Sequence, residues 1–443
     1  MSSIFKAYDI RGVYPTEINE EMVYKIGRAT VVFLKAKTIA VGRDARVSSP
    51  ALFESFTKGV MDQGCNVIDL GVISTPMVYY ASGTLKVDGA ISLTASHNPQ
   101  QYNGLKINRA SAVPVGQDSG MKDIEKLVGQ NAFEDVAQKG MMTKHNIANE
   151  YMDHFASFAK LGDKKLKVVI DFGNGTGVLE FPLFKKFSEN LEIVPICETL
   201  DMSFPNHEAN PLKAETLKML QKKVLEEKAD IGISFDGDAD RAGFVDENAK
   251  IIPMDYITGM IAEIVLEREK GATILYDLRS TRAVKEIIEE NGGKAEECRV
   301  GHAFIKKQMR EKGAVFAGEL SGHYYFKENF TAESASFAAL LLLNLLAETG
   351  QPLSELTRKM HKYFQSGEIN SEVENKEEII KTLEETYKDG KLDLLDGIKI
   401  VYPTWWFSVR GSNTEPLLRL NVEADTKEQM EEKRDELLKI IRG

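Results

Sequence analysis

The chain has 443 residues, 43% of them hydrophobic and 28% charged, with a formal net charge of −11. The length exceeds a single ordinary core and predicts several domains, in a composition typical of soluble globular proteins. The negative balance argues against a phosphate-backbone nucleic-acid binder, and it obliges any site for an anionic substrate to gather basic residues locally.

Met1-Ser2-Ser3-Ile4-Phe5-Lys6 has no apolar signal core. Cys65, Cys197 and Cys298 are widely spaced with no Cys-x-x-Cys, which argues against a disulfide framework or a thiolate zinc site. A cytoplasmic protein is expected.

Strands and helices alternate for most of the length, predicting α/β units with mixed, largely parallel sheets. The first unit opens on Thr38-Ile39-Ala40-Val41-Gly42-Arg43-Asp44, a strand running into a polar turn. Later in that unit Gly89-Ala90-Ile91-Ser92-Leu93 reads as a short buried strand. It delivers the run Thr94-Ala95-Ser96-His97-Asn98-Pro99, after which Pro99 and Asn103-Gly104 force a loop. A serine hydroxyl thus stands at the carboxyl end of a strand, where α/β proteins expose reactive groups. Ser-His-Asn-Pro is also ordinary turn chemistry.

The second unit repeats the pattern with Lys167 to Gly175 and then the strand Ala229 to Phe235. That strand enters Asp236-Gly237-Asp238-Ala239-Asp240-Arg241. Three carboxylates at alternate positions in a loop can converge on one hard cation, and without one they repel. An EF-hand is excluded because Arg241 stands where its turn glycine belongs and the flanks are strands. Asp240 replaces the threonine of an Asp-x-Asp-x-Thr phosphatase. Magnesium on Asp236, Asp238 and Asp240 is the better account, with Arg241 as a planar donor for a phosphate oxygen.

The third unit starts at Ala272 to Ser280, and its later strand, Ala314 to Ala317, runs into Gly318-Glu319-Leu320-Ser321-Gly322-His323. Glu319 and Ser321 alternate, so both can grip vicinal hydroxyls of a sugar; Glu319 could instead cap a helix or pair with a lysine. Ala338 to Ala347, interrupted by Asn344, is too short to span a bilayer and reads as a core helix. The acidic stretch Glu372 to Glu385 reads as a solvated helix face. A small α+β domain closes the chain, with strands at Lys399–Tyr402, Trp405–Val409 and Leu417–Val422. Its helix starts after an N-cap at Thr426.

Between the last two of those strands lies Arg410-Gly411-Ser412-Asn413-Thr414-Glu415-Pro416. Glycine lets backbone amides turn toward an anion, and Arg410, Ser412, Asn413 and Thr414 add donors suited to phosphate. No Gly-x-x-x-x-Gly-Lys-Ser/Thr occurs. Asp171-Phe172-Gly173 matches a kinase tripeptide by chance, because the rest of that signature is missing. The expected domains are 1–145 with the serine loop, 146–248 with the metal loop, 249–360 with the sugar loop and 361–443 with the phosphate loop.

Four such loops in this order, with Phe5-Lys6-Ala7-Tyr8-Asp9-Ile10-Arg11-Gly12 ahead of them, resemble the α-D-phosphohexomutase superfamily along the whole chain. The likeness is strongest to its bacterial phosphomannomutase/phosphoglucomutase branch. The resemblance implies three similar α/β domains and a smaller fourth around a central cleft. It implies an isomerase that interconverts hexose 1-phosphate and hexose 6-phosphate of mannose, glucose or both. Ser96 would carry the phosphoryl group and complete the magnesium shell, and a hexose 1,6-bisphosphate would be both intermediate and activator. Arg11, Lys106, Arg241, Arg279, His302 and Arg410 would supply the basic cluster. Tyr8, Lys106 and His302 would lie near the reacting oxygens, with Lys106 or His302 moving the proton. Glu319, Ser321 and His323 would hold the sugar. His302 could alternatively serve only as a helix N-terminus contact.

Phosphoglucosamine mutases typically have Gln where Leu320 stands and Gly where Asn413 stands, so an amino sugar is disfavoured. A metal-dependent serine phosphohydrolase and a non-catalytic sugar-phosphate sensor are the rivals from other classes. The partners implied are small sugar phosphates, with no nucleic acid and no membrane; oligomeric state is not legible.

Overall fold

The computed structural model of the chain describes residues 4–134, 136–411 and 417–443. Ser412, Asn413 and Thr414 of the expected phosphate loop therefore lie outside the described residues. The chain divides into two compact units, one formed by Met1–Met254 with Gly301–Leu356 and the other by Asp255–Val300 with Thr357–Gly443.

The first unit holds two mixed sheets. In one, Thr38–Arg43 runs parallel to both Asn66–Val72 and Gly89–Leu93, while Tyr102–Arg109 returns antiparallel beside Gly89–Leu93 and pairs with Ile10–Val13. The helices Glu20–Leu34 and Ser49–Asp62 pack closely because two glycines face the contact. A Cβ on Gly59 would stand 2.2 Å from the Tyr24 carbonyl oxygen, and one on Gly27 2.4 Å from that of Phe56. Val41, Ile91 and Ile107 from the strands and Ile26 and Phe56 from the helices form one core.

The other sheet has Leu166–Asp171 parallel to Leu191–Ile196 and to Ile231–Phe235, with Ala242–Asp246 antiparallel on the far side of Ile231–Phe235. Both Gly89–Leu93 and Ile231–Phe235 are buried at every residue. Their burial at every residue, Ser92 and Ser234 included, fits strands covered on both faces. A third group in this unit contains the helix His302–Lys312, the antiparallel strands Phe316–Gly318, Tyr324–Phe326 and Ala332–Glu333, and the buried helix Ala335–Thr349.

The strand expected from Ala314 begins two residues later, at Phe316. Gly313 ends the preceding helix at a left-handed φ of 62°, and the Ala314 amide still donates to the Met309 carbonyl at 2.8 Å, so that residue closes the helix.

In the second unit Thr273–Asp277 runs parallel to Lys294–Cys298 across the helix Arg282–Glu290. The strand–helix–strand repeat expected near residues 38, 167 and 272 is thus present each time with parallel pairing. The last sheet is antiparallel throughout. Leu417–Ala424 pairs with Trp405–Gly411 and with Ile369–Glu372, and Ile398–Val401 lies beyond Trp405–Gly411. Glu372, read as part of a helix face, ends a strand, and the helix occupies Lys376–Thr386. Thr426 caps Lys427–Arg442 by accepting from the Gln429 amide at 3.2 Å. Among the described residues no helix is long and apolar enough to cross a membrane.

Candidate functional site

Two strand ends in the first unit bring the serine and metal loops together. Ser96 follows Gly89–Leu93 with a φ of 50°, a left-handed conformation that a non-glycine residue adopts at a cost and that is concentrated at functional sites. Its Oγ donates to Asp236 Oδ2 at 2.9 Å and accepts from Arg241 Nη2 at 3.3 Å. Gly237 makes the approach possible, because a Cβ there would stand 2.4 Å from the Ser96 carbonyl oxygen. The metal loop is folded on its first aspartate: Asp236 Oδ1 accepts from the amides of Asp240 at 3.1 Å and Arg241 at 3.3 Å.

Asp236, Asp238 and Asp240 are all buried, with one carboxylate oxygen from each lying within 4.8 Å of the others. Asp238 Oδ1 is buried without a hydrogen-bond partner among the described residues. Lys106 Nζ reaches Asp238 Oδ2 at 2.7 Å and Asp240 Oδ2 at 2.5 Å. Burial, followed by the charges of Asp240 and Asp238, pushes Asp236 up to about 8. Three hard oxygen ligands, one orphaned acceptor and mutual repulsion fit a small divalent cation such as magnesium.

Three histidines surround this centre in different states. His97 accepts from Arg241 Nη2 at Nδ1, and burial together with Arg241 and Arg11 drives it far below its usual value. His302 begins the helix His302–Lys312, in edge contact with the Tyr8 ring at 5.3 Å. Burial first, then Lys306 and Lys106, hold His302 well below its ordinary value, and its Nδ1 is buried without a hydrogen-bond partner among the described residues. His323 lies between the metal and sugar loops, with Nε2 3.4 Å from Asp240 Oδ1 and Nδ1 3.1 Å from Glu319 Oε2. Burial opposes its charge, but Asp240 and Glu319 raise it to about 9.

In the sugar loop, Ser321 Oγ lies 2.7 Å from His323 Nδ1. Glu319 accepts from Tyr325 Oη at 2.9 Å and from the Gly301 amide at 3.2 Å, so it also supports the start of the helix that carries His302. Arg11 donates to Asn98 Oδ1 at 2.5 Å and pairs with Asp9, and so borders the serine loop.

Arg279 and Arg410 belong to the second unit. Arg279 donates to Asp277, and its Nη1 reaches Glu368 Oε2 at 2.9 Å. Arg410 Nη2 reaches the same oxygen at 3.2 Å, and Arg419 Nη1 reaches Glu368 Oε1 at 3.4 Å. Three guanidiniums therefore converge on one carboxylate. This is a cationic cluster with the planar donors that phosphate recognition uses.

Arg46, Thr75 and Glu368 escaped the reading of the sequence. Arg46 is buried, pairs with Asp44 at 3.0 Å, and donates to the carbonyls of Ser96 at 2.8 Å, Asn98 at 2.7 Å and Pro99 at 2.8 Å. It therefore clamps the backbone of the serine loop. Its one signal was the polar turn that ends Thr38–Arg43. Thr75 Oγ1 donates to Asp238 Oδ2 at 2.7 Å and carried no signal.

Family models match the chain in four consecutive segments: phosphoglucomutase/phosphomannomutase alpha/beta/alpha domain I over residues 2–135, domain II over 149–250, domain III over 253–363 and the C-terminal domain over 368–440. A phosphomannomutase of Escherichia coli is 39% identical over 451 residues, covering 99% of each chain. A phosphomannomutase of Methanocaldococcus jannaschii is 40% identical over 442 residues, covering 99% of this chain and 97% of its own. The crystal structure of a phosphoglucomutase/phosphomannomutase family protein from Burkholderia thailandensis matches with a TM-score of 0.91 at 32% identity, over 99% of this chain and 96% of that one.

Proposed function

Because this chain belongs to the phosphoglucomutase/phosphomannomutase family and is a hexose-phosphate mutase, we propose that it interconverts the 1- and 6-phosphates of mannose and glucose with Ser96 as the phosphoryl carrier. The observation that carries this reading is the 2.9 Å contact of Ser96 Oγ with Asp236 inside a cluster of three buried aspartates.

The reaction balances as two transfers. The Oγ–P bond of phosphorylated Ser96 breaks as the 6-hydroxyl oxygen of a hexose 1-phosphate bonds to phosphorus; the hydroxyl proton passes to a base and the leaving Ser96 Oγ takes up a proton. The resulting 1,6-bisphosphate turns over. Its O1–P bond then breaks as Ser96 Oγ gives up its proton and bonds to phosphorus, and the leaving O1 takes up a proton. Both donor and product are phosphate esters, so positioning and charge neutralisation account for most of the catalysis. Asp236, Asp238 and Asp240 would hold magnesium, which supplies positive charge to the phosphoryl oxygens.

Arg241, whose Nη2 contacts Ser96 Oγ, aims a guanidinium at the phosphoryl group. Arg46 fixes the loop that presents the serine. Lys106 bridges two of the aspartates and orients them, which leaves His302 as the proton acceptor. Its buried, neutral imidazole lies against Tyr8, with Nδ1 3.8 Å from Glu333 Oε1 and making no hydrogen bond among the described residues. Glu319 and Ser321 would hold the sugar hydroxyls. Mannose and glucose differ only at the 2-hydroxyl, so a grip on the 3- and 4-hydroxyls accepts both. Arg279 and Arg410 offer a separate anion site. The cytoplasm suits a phosphorylated substrate and three free cysteines.

Incubation with glucose 1,6-bisphosphate should add one phosphoryl group to the intact protein mass, and the Ser96→Ala variant should gain none. A gain that persists in the variant places the carrier elsewhere. Turnover on mannose 1-phosphate and glucose 1-phosphate should agree within about tenfold; a preference of several hundredfold exceeds what inversion of one poorly gripped hydroxyl produces and ends the dual reading.

A further inference from the structure

Asp171, Cys197 and His207 form a cluster outside the site described above. Asp171 ends the strand Leu166–Asp171 and is fully buried. Cys197 follows the parallel strand Leu191–Ile196, held at a left-handed φ of 49°, and its carbonyl accepts from the Asn174 amide at 2.9 Å. His207 lies ten residues further on. One ligand atom from each of the three lies within 4.8 Å of the others.

The geometry at the imidazole separates two chemistries. His207 Nδ1 lies 2.9 Å from the Glu208 carbonyl oxygen, which can only accept, so Nδ1 carries a proton. Nε2 faces both Asp171 Oδ2 at 2.9 Å and Cys197 Sγ at 3.7 Å. A nucleophilic Cys-His-Asp relay needs thiol and carboxylate on opposite ring nitrogens. Two ligand groups converging on one nitrogen instead describe side chains grouped around a shared cation. The Nδ1–H bond to a carbonyl is the outer support that metal-bound histidines use. Tetrahedral zinc ligands stand about 3.3 Å apart for nitrogen and oxygen and about 3.6 Å apart for nitrogen and sulfur. The observed separations differ from these by less than about half an ångström. Asp171 Oδ1 accepts from the Gly173 amide at 2.9 Å, which aims Oδ2 at the cluster.

We propose that Asp171, Cys197 and His207 bind one soft or borderline divalent cation of the zinc or cadmium type, distinct from the all-oxygen aspartate site. Thiolate and imidazole select such ions over magnesium. Solvent completes the tetrahedron, since Cys197 and His207 are only partly buried. In the metal-free protein a proton between His207 and Asp171 takes the cation's place. Binding releases that proton and the thiol proton while sulfur, nitrogen and oxygen lone pairs bond to the metal. The cluster backs onto the catalytic loop: Asn174 Oδ1 accepts from Asn206 Nδ2 at 2.8 Å, and the Thr176 amide donates to the Gly237 carbonyl at 2.9 Å.

The test is a cadmium chloride titration of the full chain in saturating magnesium, which keeps the aspartates occupied. The thiolate-to-cadmium charge-transfer absorption should saturate at one equivalent with release of about two protons. It should vanish in Cys197→Ser and persist in Cys65→Ser and Cys298→Ser. His207→Asn should weaken cadmium affinity tenfold or more, with circular dichroism verifying that the variant is folded. No absorption, absorption that survives Cys197→Ser, or an affinity indifferent to His207→Asn each overturns the proposal.

Discussion

At the scale of single residues, the first unit sets neighbouring ionisable groups in opposite states. Lys106 is drawn into a pair of carboxylates at 2.7 and 2.5 Å, whereas His302 is kept neutral by burial and by lysines nearby. Of the two, only the imidazole keeps an unprotonated ring nitrogen near neutral pH. His302→Asn should lower kcat by about 10²–10⁴-fold, the range for loss of a general base, with KM within about threefold. A fall in kcat of less than tenfold would move the role to Lys106. Arg46 illustrates a different economy. One guanidinium satisfies several carbonyls of a loop that has no sheet partners, which holds Ser96 in its left-handed conformation.

At the scale of elements, a buried carboxyl joins three helices of the first unit. Glu180 accepts from Ser74, which precedes the helix Thr75–Thr84; from Ser336, in the first turn of Ala335–Thr349; and from Tyr151 of Ala148–Ala156, at 3.3 Å. The residue after Ser74 is the Thr75 that touches Asp238, so this junction underlies the metal loop. Burial pushes Glu180 up to about 7 from 4.5, although its hydroxyl donors pull the other way. A folded value above the unfolded one means that the protonated carboxyl stabilises the fold below pH 4.5, and that this contribution is lost as pH rises through 7. The loss amounts to roughly 3 kcal/mol. Glu180→Gln cannot titrate, so the stability of the native protein minus that of the variant should fall by about that amount between pH 5 and pH 8 in denaturant unfolding. A difference that stays flat across this range contradicts the assignment.

At the scale of the whole molecule, a chain with net charge −11 must attract doubly charged sugar phosphates. Its cations are concentrated locally, with Arg11, Lys106 and Arg241 in the first unit and Arg279, Arg410 and Arg419 around Glu368 in the second. Glu368 keeps the second group together in the absence of an anion. Arg410→Ala should raise KM for the sugar phosphate about tenfold or more, the range for one charged hydrogen bond, with a smaller change in kcat and little change in Tm. An unchanged KM would remove Arg410 from phosphate binding.

What the sequence determined by itself was local. Short apolar runs placed Gly89–Leu93, Ile231–Phe235 and Thr273–Asp277, and Thr426 announced the last helix, because a buried strand's composition and a helix cap are both set within a few residues. The alternating aspartates at 236, 238 and 240 were legible for the same reason: the loop that gathers them is only six residues long. Only the tertiary structure decided which groups meet across many residues. Arg46 clamps the loop of Ser96, Thr75 reaches Asp238, Glu180 binds Ser74 and Ser336, and Glu368 gathers three arginines. These residues sit in ordinary polar turns and helix ends, and their partners are set by how sheets and helices stack. Close packing at glycines such as Gly59 and Gly237 brings distant backbones within a few ångströms, and no local pattern encodes that approach.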